Sequence, residues 1–349
     1  MKIIRKQIKP YLKPSLLITS RLNLIKVFFT SAIIVALPHI SVAGGAFTAL
    51  RAPFEARLAA LGGGVSAERA SLSAEEINPA SLVKTPFAVS LSVARFPVEI
   101  VGGRSMVTLS WNKVVLGLRY HFLNYGSIPE SRVDEGNTGI GFTAEESLWG
   151  LRVASSVSKS FYWGLGINLM VGRIGADRAS GWSGDLGIIW DSQWEGFLLG
   201  IGLRNYGKLW NNYGSITDLL SKEWVIGTSK RLQHLPLTFH LTFRHRQKDE
   251  GEWGVGKAFG SNRWSFNGGG EFEISSGSGY PIYLRLGYQS VRDQLRAGNQ
   301  RDALAGISFG LGVNTAVGSW DYAYSSWGVG GEVHRIGWRY SKKPKLTSY

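Results

Sequence analysis

The chain has 349 residues, 45 of them glycine, 12% aromatic and none cysteine, with a formal charge of +14. The lack of cysteine excludes disulfide scaffolds, thiolate metal sites, cysteine nucleophiles and a lipid-modified N-terminal cysteine. Seven cations and no Asp or Glu lie within 1–43, which is half of the excess charge; the remainder is dispersed rather than gathered into the basic tract expected of a nucleic-acid binder, so no nucleic-acid partner is expected.

In chain order, residues 1–26 are basic and "VFFTSAIIVAL" (27–37) is an apolar stretch of signal-peptide length. Small residues at Ser41 and Ala43 mark a cleavage site, so 1–43 is predicted to be a secretory signal cut between Ala43 and Gly44. Pro38 and His39 interrupt the apolar run before the about 20 residues that a membrane-spanning helix needs. The next stretch, 44–85, is predicted to be a short plug-like segment. "FEARLAAL" (54–61) has helical apolar spacing at Phe54, Leu58 and Leu61, and "LGGG" ends it. In "INPASL" (77–82), Pro79 turns the chain and the Asn78 side chain can satisfy nearby backbone groups.

From residue 86 to 349 the period is two. In "FYWGLGINLMVGR" (161–173), Phe161, Trp163, Leu165, Ile167, Leu169 and Val171 alternate with small or polar residues. The same alternation recurs in "KVVLGLRYHF" (113–122), "PLTFHLTFRH" (236–245) and "PIYLRLGY" (281–288). Successive strand residues point to opposite faces, so each segment has one greasy face and one small or polar face. The predicted strands are 86–96, 102–111, 113–122, 146–157, 161–173, 182–190, 196–206, 223–230, 236–246, 262–273, 281–289, 303–314, 317–325 and 331–340. Runs of about ten residues suit tilted strands crossing a bilayer. A soluble sandwich shares the alternation, but would have to pack every Trp and Tyr of the greasy faces into one core. In "WSGDLGIIW", Trp182 and Trp190 share a face and stand roughly 20 Å apart along the normal, close to the separation of two aromatic girdles.

The opposite face carries Arg119, Arg152, Arg204, Arg244 and Arg285, with Asp185 and Arg335. A charge facing midplane lipid costs about 2–4 kcal/mol, so these are predicted to face the lumen. Ile167 should then reject a charge that its neighbour Asn168 tolerates. The expected fold is all-β: a membrane barrel of about fourteen antiparallel strands bathed in outer-membrane lipid. Connectors 123–145, 207–222 and 247–261 read as surface loops, with Tyr125, Trp210 and Tyr213 as candidate partner contacts. Glu145 and Glu146 read as loop carboxylates, and the side of the membrane that the loops face is left open.

Catalytic chemistry is not evident. "GVGKAFG" (254–260) lacks the spacing of a phosphate loop. His234, His240 and His245 lie close in sequence, but alternation sends His240 and His245 to opposite faces. No nucleophile motif appears, so no cofactor, metal or enzymatic activity is expected.

The opening "FTALRAPFEARLAALGGGVSAERASLSAEEINPASL" (47–82) resembles that of the PorV/PorQ family of outer-membrane barrels, and its PorQ-like branch best. The resemblance rests on Pro53, Ala56, Arg57, Ala59, Ala60, Leu61, Gly62, Gly63, Asn78, Pro79, Ala80 and Leu82. Ala52 and Glu55 stand where the family pattern has Leu and Ser. The resemblance implies a barrel related to the long-chain fatty-acid transporter barrels. It further implies a scaffold or docking role in type IX protein secretion and surface attachment, with secretion or attachment proteins as partners. The alternative is a transporter or channel for a hydrophobic or anionic solute. Inward glycines (Gly164, Gly166, Gly306, Gly310, Gly312) leave room either for a pore or for the segment itself.

Overall fold

The computed structural model describes residues 47–132, 136–194, 196–213, 220–246, 264–274, 280–290, 296–297, 300–301 and 304–342. The predicted signal, its Ala43–Gly44 junction and the whole 247–261 connector lie outside the described residues, as does the tail beyond 342.

Fourteen antiparallel strands form one closed barrel. They are β1 (Ala88–Arg95), β2 (Val101–Trp111), β3 (Val114–Arg132), β4 (Gly136–Ser156), β5 (Phe161–Ile174), β6 (Asp177–Asp191), β7 (Phe197–Asn211), β8 (Glu223–Arg231), β9 (Leu237–Arg246), β10 (Trp264–Ile274), β11 (Ile282–Gln289), β14 (Ile307–Thr315), β15 (Gly318–Ser326) and β16 (Glu332–Ser341). A separate two-residue ladder, β12 (Arg296–Ala297) with β13 (Gln300–Arg301), lies in the connection before β14. Every barrel strand pairs with its neighbour in the chain, and β1 closes the ring on β16, from Ala88↔Ser341 to Arg95↔His334. Closure leaves no unpaired edge, which is the condition for a sheet to stand in hydrocarbon.

All fourteen predicted segments are strands, but two boundaries are corrected. The expected loop 123–145 is largely ladder, because β3 runs to Arg132 and β4 starts at Gly136, with irregular register between Asn124 and Ser127. The expected loop 207–222 likewise begins as strand, through Asn211. Gly306 is a turn residue before β14 with φ +88°, not a lumen-wall residue.

The alternation is that of a lipid-facing wall. On β5, Leu165, Ile167, Leu169 and Val171 are exposed, whereas Gly164, Asn168, Met170 and Gly172 between them are buried. Aromatic side chains gather at the ends of the exposed face, with Tyr120 and Trp149 in ring contact at 4.5 Å and Trp182 and Trp190 both facing outward. The ends are unequal. Strands meet through short turns such as 112–113 and 316–317 at the end where β1 starts and β16 stops, and through the longer connections 212–222 and 247–263 at the other. Outer-membrane barrels keep short turns on the periplasmic side and longer loops outside. This sets the orientation that strand count alone left open.

Candidate functional site

The lumen is filled by residues 47–85. One short helix, α1 (Ala56–Ala60), opens on Glu55, whose carboxylate accepts a hydrogen bond from Leu58 N at 2.8 Å. Glu55 therefore caps the helix. Gly62 and Gly63, at φ +64° and +67°, stop it, and Gly63 N donates to Leu58 O at 2.8 Å. The alanine face of α1 packs on Ala323 and sits over Gly310, where a Cβ would strike Ala60. Gly62 presses its backbone on Gly287 and Tyr288 of β11.

Across the lumen, the 3-10 turn Pro79–Leu82 seats on β4, β5 and β6. Asn78 is fully buried. Its Oδ1 accepts from Ala80 N at 3.0 Å, and its Nδ2 donates to Ser66 O at 2.8 Å and to Ile188 O of the wall at 3.2 Å. A Cβ on Gly187 would overlap the Asn78 side chain, and one on Gly164 would overlap Pro79 and Ala80. Gly164, Gly187 and Gly310 thus make room for the segment, whereas Gly166 and Gly312 make room for Arg152 and Arg285. Between these anchors Leu58, Leu61, Val65, Ala74 and Ile77 form an apolar core with Val225 of β8.

The five predicted lumen arginines all face inward and are buried, and the structure shows what they hold. Glu75 is the centre of the first group. Its Oε2 accepts from Arg104 at 2.8 Å, and its Oε1 accepts from Arg119 at 3.2 Å and from Arg152 Nε. Arg119 and Arg152 also share Asn168 Oδ1, at 2.8 and 2.7 Å, and Arg152 reaches Asp185 at 3.1 Å. A second group joins α1 to the far wall. Arg57 donates two bonds each to Glu68 and Glu271; Arg285 links Glu271 at 2.6 Å to Asp321 at 2.7 Å. In a third, Arg204 pairs with Glu223 at 2.5 Å and donates to Leu50 O at 3.2 Å, while Arg244 donates to Gly63 O at 2.5 Å. Arg335 donates to Pro53 O at 2.8 Å.

Asn168 is therefore not a tolerant lumen position; it is wedged between two guanidinium groups, and a third cation there would meet both.

Burial pushes the Glu75 carboxyl up, but Arg119, Arg152 and Arg104 outweigh it and hold the group below the usual carboxylate range. Glu76 goes the other way. Burial raises it and Arg104 lowers it, while the neighbouring Glu55 and Glu75 add to the rise. Removing one partner of a buried pair costs about 3–5 kcal/mol, so the segment is held far more firmly than surface pairs would hold it.

At the loop-side mouth the wall turns apolar. Phe47 and Leu50 pack with Leu148, Met170, Ala179 and Leu220. Glu146 is another correction: it is buried on the inward face of β4, accepting from Ala49 N at 2.7 Å and from Tyr125 OH at 2.7 Å. Tyr125 consequently contacts the segment, and Tyr213 lies against Phe47 with ring centroids 6.3 Å apart. Of the three predicted partner-contact residues, Trp210 alone is largely exposed, at 57%. His240 faces the lumen, whereas His245 packs on Trp264 with ring centroids 4.3 Å apart.

Sequence reasoning found the arginines through alternation but missed Glu55, Glu68, Glu75 and Glu76. The available signal was a pair of acids, "AEE", in a segment that must sit among inward cations.

No family model and no curated protein matches the chain. Solved structures do. The CymD monoaromatic hydrocarbon channel aligns with a TM-score of 0.53 at 10% identity, over 83% of this chain and 97% of that one. The Pseudomonas putida toluene transporter TodX aligns with a TM-score of 0.53 at 10% identity, over 82% and 96%. A Pseudomonas aeruginosa FadL homologue gives 0.49 at 11% identity, over 86% and 99%. The chain is an outer-membrane β-barrel. At these identities the likeness is one of fold alone, shared with the CymD and TodX barrels.

Proposed function

We propose that the protein is a gated outer-membrane passage for a hydrophobic solute. The observation that carries this reading is the change in the inner wall at the loop-side mouth, where Leu148, Met170 and Ala179 replace the charged lining and are capped by Phe47 and Leu50. An apolar recess closed by the chain's own apolar residues can exchange them for an apolar guest that buries comparable surface, while the bonds of Ala49 N to Glu146 and of Arg204 to Leu50 O set the cost of opening it. Moving the leading stretch, 47–53, opens the loop-side recess, and passage beyond it requires the segment 54–82, held by the ionic groups around Arg57 and Glu75, to shift as well. The names of the two hydrocarbon-passing barrels of the same fold support the reading.

Uptake of a labelled monoaromatic hydrocarbon by wild-type and deletion cells tests it. Slower uptake on deletion is expected, with Phe47→Ala/Leu50→Ala altering the rate while barrel abundance stays constant. Unchanged uptake on deletion would overturn the reading.

A second reading, docking in type IX secretion, rests on the family resemblance of 47–82 and on Trp210, exposed near the end of β7 on the loop side. It predicts unchanged uptake and release of surface-attached proteins into the medium, read by comparing cell-surface and medium protein in the two strains.

A further inference from the structure

On the outward face of two neighbouring strands, at the loop-side end, stand Arg173 of β5 and Arg178 of β6, while Lys208 of β7 is level with Trp182. Arg173 and Arg178 are direct register partners. Like charges directly opposite one another destabilise a sheet, so this pair is an unfavourable choice unless an anion lies over it. Glu145, the cross-strand neighbour of Arg173, approaches it only to 3.9 Å, and both side chains are about half exposed, at 57% and 42%. Among the described residues, one loosely held carboxylate does not balance the two guanidinium groups.

The surface beside the pair is hollow. Register places Phe122, Ser147, Val171 and Ser180 in one outward row between the aromatic row Tyr120, Trp149, Trp182 and the charged row Glu145, Arg173, Arg178. The small Ser147 leaves a groove of about 410 Å³, with Tyr120, Phe122 and Val171 as its apolar part and Arg173, Arg178, Glu145 and Glu146 as its charged part. The aromatic row marks the lipid–headgroup boundary. The guanidinium groups therefore stand at phosphate height, on the side of the longer loops, with an apolar trough leading from them toward the acyl region.

We infer that this groove binds the phosphorylated headgroup of an outer-leaflet lipid, with Arg173 and Arg178 holding the phosphate and Tyr120, Phe122 and Val171 contacting the adjoining acyl chain. Guanidinium forks match phosphate geometry, and the apolar trough favours a lipid over a free anion. The site is separate from the lumen and independent of what passes through it.

The test is native mass spectrometry of the folded full chain in detergent, offered diphosphorylated lipid A or its dephosphorylated form. Wild type should retain the phosphorylated lipid, and Arg173→Gln/Arg178→Gln should retain about tenfold less, as expected from losing charge-assisted hydrogen bonds. Glu145→Gln should retain more than wild type. Unchanged heat-dependent gel mobility shows that a variant is folded; should the double variant fail this check, Arg178→Gln alone carries the comparison. Equal retention of both lipids by wild type, or retention by the folded variant equal to wild type, would overturn the assignment. Displacement of the lipid by inorganic phosphate alone would mark a free-anion site and overturn the lipid assignment too.

Discussion

The two faces of β5 and β6 are made from alternate residues of the same chain, yet they obey different rules. Outward, Leu165, Ile167, Leu169 and Val171 need only be apolar, because fluid lipid adapts to any apolar shape. Inward, Gly164 meets Pro79 and Ala80, Asn168 bridges two arginines, and Gly187 meets Asn78. The outer face is specified by class and the inner face by identity. A lumen filled by its own chain is a packed core, and packed cores register single methyl groups.

The largest effect should come from the inner face. Glu75→Ala leaves Arg104, Arg119 and Arg152 without their shared counter-charge, and should cost the seated segment about 3–5 kcal/mol. Limited proteolysis of 47–85 in the folded barrel reads this directly; a segment as protected as in wild type would show that the arginine cluster is not what holds it. Next is the attempt to break the outer face. Ile167→Arg should cost about 2–4 kcal/mol if the residue lies near midplane, whereas Ile167→Val should cost less than about 1.5 kcal/mol. Refolding into vesicles with a denaturant titration measures both.

A smaller effect is expected from bulk at a contact point. Gly187→Val should strain the Asn78 seat by about 1–3 kcal/mol, while Ile188→Val, one residue along and outward, should be nearly silent. Thermal transitions of the two variants in detergent make the comparison. The smallest effect sharpens the electrostatics. Glu75 has a lowered folded pKa, so its contribution is present above the ordinary carboxylate value, about 4.3, and is lost as pH falls through the folded value. Glu76 has a raised one, so its contribution is present at low pH and lost as pH rises through the folded value. Glu76 accepts from Phe54 N at 3.2 Å and Glu55 N at 3.1 Å and pairs with Arg104 alone, so Glu76→Gln should cost less at neutral pH than Glu75→Gln, which loses three guanidinium partners. Equal losses for the two would show that the number of guanidinium partners does not set the cost.

Strand number, strand faces and the inward arginines were legible because period two and the exclusion of charge from lipid are local rules, readable one residue at a time. Asn78 and Pro79 were legible as a turn for the same reason. Tyr125, Glu146 and the 123–145 stretch were misplaced because a strand that continues past the membrane loses the apolar face that announces it. In "NYGSIPESR" nothing greasy alternates, yet the ladder with β4 resumes at Ser127 and continues to Arg132.

By itself, the sequence determined a closed barrel, its outward face and a polar lumen, since each follows from what one side chain can tolerate in hydrocarbon. Only the tertiary structure decided that the lumen is full, that Glu75 answers three arginines from β2, β3 and β4, and that Arg173 faces Arg178 across a ladder. Those facts join residues tens of positions apart. Their partners are chosen by the closure of the sheet and the path of 47–85 through it, which no local period encodes.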